Sequence, residues 1–113
     1  MVYKGIIQSV FNKVKLSAAI RDIPFNVSLQ YVGDLFEKQK GYCALTGQKL
    51  TLKKTLKDTT ATASLDRKDS SKGYIQGNLQ WVHKDVNRMK NNLKEETFVD
   101  LCKKVALHQI KLP

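Results

Sequence analysis

The sequence predicts an α+β fold with a minimal sheet, and three observations support that fold class. Apolar residues recur at helical spacing near both ends of the chain, over 3–20 and again from Lys94 onward. Between them, two short apolar runs, 61–65 and 79–82, have the composition of strands and are joined by a turn-rich loop. A chain of 113 residues suits one compact core, so we expect these elements to share a single domain.

The first part of that domain, 1–40, is expected to be an N-terminal helical region. Pro24 follows the first helix and ends it, because the residue before a proline avoids the α conformation. Ser28 then offers a side-chain N-cap for a second helix over 29–39. Gly41 follows that helix and supplies the residue type that most often closes a helix.

The second part, 41–113, is expected to hold a hairpin core and the C-terminal helix. The turn at 46–48 separates two short apolar pieces and indicates a hairpin or a knuckle. A short helix is predicted over 83–90, and the last helix begins near Lys94 with two glutamates in its first turn, where the helix dipole favours them. The residues expected to form the buried stripe of the last helix are Phe98, Leu101, Cys102, Val105 and Ala106.

The charge of the chain points to an anionic partner. Lys and Arg number 20 against 10 Asp and Glu, a formal net charge of +10, which attracts polyanions and releases their counterions. Nucleic acid is the expected partner, with an anionic membrane surface and a merely solubilising charge as alternatives. No apolar run approaches the roughly 20 residues that span a bilayer, and no signal peptide is recognisable. With two cysteines only, we expect a reduced protein of the cytoplasm.

Two oxygen-bearing side chains are positioned to meet at one end of the predicted hairpin. Asp66 ends the first strand, and Asn87 lies on the helix that follows the second. A strand–loop–strand–helix arrangement brings such positions together, and a carboxylate with an amide oxygen suits Mg²⁺ or Mn²⁺, with water completing the shell. Such an ion polarises a phosphodiester. The basic residues around the hairpin, as a phosphate substrate requires, are Arg67, Lys72, Lys84, Arg88 and Lys90.

The run from 64 to 90 resembles an HNH endonuclease of the ββα-metal fold, a family common in phages and in bacterial restriction and homing systems. The resemblance covers roughly 41–90. It implies a small HNH-like hairpin-plus-helix core flanked by N- and C-terminal helices, with one divalent ion. Asp66 matches the acidic position, Asn78 the middle asparagine and Asn87 the metal ligand on the helix. Asn78 is expected to pin the loop rather than to react.

The sequence departs from the family where a histidine is expected to act as general base. That position is Arg67, which stays protonated and is expected to hold a phosphate instead. Asp69 is one candidate base, because Asp66-Arg67-Lys68-Asp69 resembles an Asp-Arg-Gly-His motif with aspartate in the histidine place. His83 is the other candidate, as the histidine within the motif.

A structural zinc ion is not expected. Of the two Cys-x-x-Cys knuckles that many members of the family carry, only Cys43 and His83 remain as ligand types, and two ligands do not close a tetrahedral site. Apolar packing is expected to replace the ion, with Cys43 as a small core residue. The side chains expected to supply that packing are Leu45, Leu50, Trp81 and Val86.

These residues predict a metal-dependent endonuclease that hydrolyses phosphodiester bonds of double-stranded DNA, nicking one strand as a monomer. Lys53, Lys54 and Lys57 would either track the phosphate backbone or form a solvated loop. Three alternatives are an HNH-like DNA-binding module without catalysis, a subunit of a larger nuclease assembly, and a basic structural protein that binds RNA. A homodimer is also left open, since cutting both strands would need a dimer or two events.

Overall fold

A computed structural model describes residues 4–53 and 58–110 of the chain. The helices are α1 (Lys4–Ile20), α2 (Leu29–Lys38), α3 (Lys84–Lys90) and α4 (Glu95–Gln109), and the strands are β1 (Phe25–Asn26), β2 (Ala63–Arg67), β3 (Tyr74–Ile75) and β4 (Leu79–His83). The α+β class predicted from the sequence is confirmed. Within the described residues, no helix combines the length and apolar character that crossing a bilayer requires.

Helix α2 forms as its capping residues predict. Ser28 is the N-cap of α2, and its hydroxyl accepts a hydrogen bond from the Tyr31 backbone N–H at 3.0 Å. Gln39 caps the other end, and Gly41 follows with a φ of 75°, a conformation that glycine adopts without strain. The side chain of Gln39 also accepts from the Trp81 backbone N–H at 2.9 Å, which joins α2 to the hairpin.

The central hairpin is the antiparallel pair β2–β4, in register from Ala63 opposite His83 to Arg67 opposite Leu79. The sequence placed the first of these strands at 61–65, two residues too early, because its pattern of small residues begins before the ladder does. The four residues from Leu79 to Val82 on β4 are all buried. They place the hairpin at the centre of the fold.

A second, two-stranded sheet was not predicted. In it, β1 and β3 run parallel, with Phe25 opposite Tyr74. The Tyr74 backbone N–H donates to the Pro24 carbonyl at 2.8 Å. A Cβ at Gly73 would lie 2.4 Å from the same carbonyl oxygen, so only glycine allows this approach. The pairing joins the loop between β2 and β4 to the segment that follows α1.

The hydrophobic core lies between α1, α2 and the hairpin. Trp81 is fully buried, its indole N–H donates to the Val32 carbonyl at 2.9 Å, and its ring meets Phe36 edge-on at 5.5 Å between centroids. Cys43 and Leu50 are buried in the same cluster and Leu45 packs against it, as the sequence predicted, whereas Val86 is not part of that cluster. The Cys43 sulfur accepts hydrogen bonds from the backbone N–H groups of Thr46 at 3.4 Å and His83 at 3.3 Å.

The predicted burial of α4 is wrong for most of its stripe. Phe98 is buried, but Leu101 is 44% exposed and Val105 is 63% exposed. The helical periodicity of the sequence predicted α4 correctly, yet no other described element covers the C-terminal half of this helix. Helical periodicity shows which residues share a face and does not show what packs against that face.

Candidate active site

The end of β2 and the middle of α3 lie side by side. Asp66 and Arg67 are the last two residues of β2. β4 leads directly into α3, whose N-cap is His83, so the helix folds back along the hairpin. The Asn87 side-chain nitrogen then donates to the Ser64 hydroxyl on β2 at 2.8 Å. This bond attaches α3 to β2 two residues before Asp66, and it leaves the amide oxygen of Asn87 as the atom available to a cation.

Asp66 is held by a buried lysine. The Lys90 ammonium, 1% exposed, donates to Asp66 Oδ2 at 2.8 Å and to the Arg67 carbonyl at 2.9 Å. Gln80 donates to the same Oδ2 at 3.0 Å, and Glu95 lies 3.5 Å from the ammonium. The expectation that Lys90 contacts DNA is therefore wrong, because its charge is enclosed. Asp66 Oδ1, in contrast, takes no hydrogen bond from the described residues.

Arg67 is half-buried and is fixed by the loop that follows it. One of its terminal nitrogens, Nη1, donates to the carbonyls of Ser70 at 2.8 Å and Lys72 at 2.9 Å. Its guanidinium carbon lies 5.4 Å from the centroid of the Tyr74 ring, within the range of a cation–π contact. The remaining N–H groups make no hydrogen bond to the described residues, so a positioned guanidinium still has donors to offer an anion.

Asn78 organises that loop from the inside. Its side-chain nitrogen donates to the carbonyls of Asp69 at 3.1 Å and Gly73 at 2.9 Å, and its oxygen accepts from the Asp69 backbone N–H at 2.9 Å. Asn78 is 6% exposed, so these bonds replace water. Its contacts fit the loop-pinning role expected of it, since both polar atoms of its side chain are hydrogen-bonded within the protein.

Replacing Asn78 with alanine is expected to lower the free energy of unfolding by about 2–4 kcal/mol, because buried backbone groups lose their partners. Urea denaturation of the variant measures this effect. Asn92→Ala is the matched control, since the Asn92 side chain is exposed and makes no described hydrogen bond. Equal stability of the two variants would contradict the assigned role.

Asp66, Arg67 and Asn87 all line one groove, which we call the β2 groove. Its volume is about 350 Å³. Among the other lining residues are three cations, Arg21 from the end of α1, and Lys84 and Arg88 from α3. Asp66 is the carboxylate among the described lining residues, so positive charge predominates.

The predicted DNA-contacting lysines and arginines have different outcomes. Lys84 and Arg88 line the β2 groove, and Lys53 lines an adjoining cavity. Lys72 is exposed but does not line either of these depressions. The predictions for 54 and 57 (both lysines) lie outside the described residues. Of the lysines and arginines predicted to contact DNA, only some therefore line the groove.

Neither predicted base lines the β2 groove. Asp69 closes an Asx turn, and hydrogen bonds from the Ser71 hydroxyl and backbone hold the pKa of its carboxyl below its usual range, which makes it a weaker base. The His83 ring nitrogen Nδ1 accepts from the Asp85 backbone N–H at 3.1 Å, as an N-cap. Both side chains hydrogen-bond to neighbouring residues and stabilise local turns, and the geometry does not favour either as the base.

The donor atoms suit a hard divalent cation only in part. Asp66 and Asn87 line one groove, and carboxylate and amide oxygens are the atom types that Mg²⁺ and Mn²⁺ prefer. In the part of the chain that the structure describes, no three His, Cys, Asp or Glu side chains cluster as a metal site. Two protein ligands with water and substrate oxygens would resemble the sparse coordination of magnesium sites. The Lys90 charge beside Asp66 weakens the attraction of that carboxylate for a cation.

Among the groove residues that the sequence did not predict are a cation and an aromatic ring, Arg21 and Tyr74. Arg21 follows α1, and its guanidinium donates to the Tyr74 hydroxyl at 3.2 Å. The two residues are far apart in the sequence, and Tyr74 belongs to the short strand β3, which no local pattern marks. The paired basic residue and aromatic ring were recognisable only from their positions in the fold.

No protein-family profile matches the chain, and no curated protein sequence matches it either. Among solved structures, the rare-cutting HNH restriction endonuclease PacI is similar, with a TM-score of 0.67 over 90% of this chain and 78% of that one. The two sequences are 13% identical, so the likeness concerns the fold. Residues 4–53 and 58–110 form four helices, small sheets and a hairpin that leads into α3, an α+β fold like that of an HNH endonuclease.

Proposed function

We propose that this protein is a metal-dependent DNA endonuclease that nicks double-stranded DNA by hydrolysing phosphodiester bonds. The observation that supports it most is the convergence of Asp66, Arg67 and Asn87 in one basic groove at the end of the hairpin. The fold likeness to an HNH restriction endonuclease agrees with a nuclease activity on DNA. A phosphate placed in this groove meets cations from three separate elements.

The chain's own residues have distinct parts in the proposed reaction. Asp66 Oδ1 and the Asn87 amide oxygen would hold a divalent cation, which, when bound, supplies polarisation of the phosphodiester and stabilisation of the leaving oxygen. Arg67 directs its free N–H groups at a non-bridging phosphate oxygen, where negative charge grows in the transition state. Arg21 and Arg88 bind flanking phosphates and fix the strand in the groove. Asn78 keeps the loop that orients Arg67 in place.

Nicking of supercoiled plasmid tests this function. We expect nicked circles with Mg²⁺ or Mn²⁺ and none with excess chelator. Asn87→Ala and Asp66→Asn are expected to lower the nicking rate by about 100-fold or more, because the first removes a ligand oxygen and the second removes the negative charge that would attract the cation. Asp69→Asn and His83→Gln are expected to stay within about threefold of the wild type. Lys104→Ala, a change on an exposed ion pair of α4, is the control.

A second candidate is a DNA-binding module without catalysis. The Lys90 ammonium at 2.8 Å from Asp66 favours it, because a fixed positive charge already occupies one side of that carboxylate. The two candidates differ in one result. A wild-type protein that binds duplex DNA with a steep salt dependence, yet nicks with no divalent metal, supports the module and contradicts the enzyme.

Assembly and location stay proposals. A homodimer or a place in a larger nuclease complex is supported by the exposed apolar side chains of α4, such as Val105 and Leu107. Sedimentation velocity with the wild type and Val105→Glu decides between monomer and assembly. Action in the cytoplasm of a bacterial or phage-infected cell remains a prediction from the sequence.

A further inference from the structure

A second depression, which we call the α1 cavity, opens beside the β2 groove. Its volume is about 390 Å³, and it lies between α1 on one side and β2 and α3 on the other. The two depressions share several lining residues, among them Arg21, Tyr74 and Arg88. A polymer bound in one of them can therefore continue into the other without leaving the surface.

One face of α1 supplies a polar wall to this cavity. Ser9, Lys13, Ser17 and Arg21 all line it and follow one another at intervals of four residues. Residues four apart lie on one face of a helix. Arg21 keeps this alignment just beyond the end of α1, because its backbone N–H donates to the Ser17 carbonyl at 3.0 Å. The periodicity of α1 predicts its apolar face, and this adjoining polar stripe was not recognised in the sequence.

The charge of the cavity is of one sign. Its cations are Lys13, Arg21, Lys53, Lys84 and Arg88, and no Asp or Glu is among the lining residues of the described chain. The nearest ion pair, between Arg88 and Asp85, is exposed and 3.8 Å long, so it neutralises little. A concave surface with unbalanced cations concentrates anions.

The remaining lining favours a nucleotide chain over a small free anion. The lining also includes the small side chains of two alanines, at 61 and 63, and apolar surface from Val10, Val14, Leu52 and Leu65. A sugar and a base edge can cover that surface while phosphates stay at the cationic side. Because helices rise about 1.5 Å per residue, Lys13 and Arg21 are separated by about 12 Å and reach different phosphates.

We propose that the α1 cavity binds the DNA strand next to the scissile phosphate, with Lys13 and Arg21 on two phosphates of that strand. This inference rests on the proposed function, since it places the strand relative to the β2 groove. It gives α1, which lies outside the hairpin and α3, a direct part in DNA binding. Lys13 is a binding residue in this assignment and does not contact the reacting atoms.

Paired substitutions on one helix test the proposal. Lys13→Ala and Lys15→Ala make the same change two positions apart, and Lys15 is exposed and does not line the cavity. Binding to a fluorescent duplex is measured by anisotropy in chelator, so that catalysis does not contribute. We expect Lys13→Ala to bind about 5–10-fold more weakly and to reduce the salt slope by about one, and Lys15→Ala to change affinity less than twofold.

A neutral methylphosphonate placed at single positions of the duplex locates the contact. At one position next to the cut, the methylphosphonate is expected to lower the affinity of the wild type for the duplex and to leave the affinity of Lys13→Ala unchanged. The proposal would be overturned if Lys13→Ala and Lys15→Ala lowered the affinity equally. It would also be overturned if the same methylphosphonate lowered the affinity of both the wild type and Lys13→Ala. Preference for RNA over duplex DNA would overturn it too. These binding measurements do not depend on cutting. A protein that fails to nick DNA, but whose affinity for duplex DNA still falls on Lys13→Ala, therefore contradicts only the proposed catalysis.

Discussion

Replacing Lys90 with methionine is expected to lower the free energy of unfolding by about 3–5 kcal/mol, as removal of one partner from a buried ion pair does. The Lys90 ammonium is 1% exposed and donates to Asp66 and to the carbonyls of Arg67 and Lys68. Methionine fills most of the space but leaves the Asp66 carboxylate buried without a counter-charge. Urea denaturation at neutral pH measures the loss.

Two further variants identify the cause of that loss. Lys104→Met removes a lysine from the exposed pair with Asp100 and is expected to change stability by less than about 1 kcal/mol. The double variant Lys90→Met with Asp66→Asn is expected to recover part of the stability, since the buried charge of Asp66 is then removed and the Glu95 side chain, 34% exposed, keeps access to water. If Lys90→Met were as stable as Lys104→Met, the ion pair between Lys90 and Asp66 would contribute nothing to the free energy of unfolding.

Exchanging Arg67 for lysine is expected to lower the nicking rate by about 100- to 1000-fold, the range seen when a positioned transition-state donor is lost. The guanidinium holds two loop carbonyls with one nitrogen and keeps other N–H groups for a phosphate. An ammonium cannot serve both purposes, because it lacks the planar fork. The rate of plasmid nicking under saturating protein measures the change.

The same variant separates a role in the reaction from a role in folding. Arg67→Lys keeps the charge, so affinity for duplex DNA in chelator is expected to stay within about threefold of the wild type. Its free energy of unfolding is expected to fall by no more than about 2 kcal/mol, because the carbonyls it leaves are partly accessible. If Arg67→Lys nicked at the wild-type rate, the role of Arg67 would be limited to stabilising the loop.

The parts of the fold that depend on local signals were predicted from the sequence. Helix α2 begins after Ser28 because a hydroxyl cap is a property of neighbouring residues, and the hairpin is marked by its own apolar runs. The strands β1 and β3 were missed, since each has two residues and their parallel pairing joins distant segments. Parallel pairs of this length have no periodicity to detect.

The candidate site was predicted in its residue types and only partly in their environments. Asp66, Arg67 and Asn87 do line one groove, as their order in the sequence suggested. Lys90 looked like one more surface lysine, and only its contacts with β2 show that it is buried. Arg21 was overlooked because it comes from α1, and its partner Tyr74 lies beyond the first strand of the hairpin.

The pairing of β1 with β3 has a consequence for engineering. The distance between the α1 wall and the Arg67 loop is set by main-chain contacts, the Tyr74 hydrogen bond to Pro24 and the close approach of Gly73. A library randomised at Ser9 and Lys13 is therefore expected to yield mostly folded members with altered strand preferences. A library randomised at Gly73 is expected to lose nearly all of its members during expression, since any Cβ there collides with backbone.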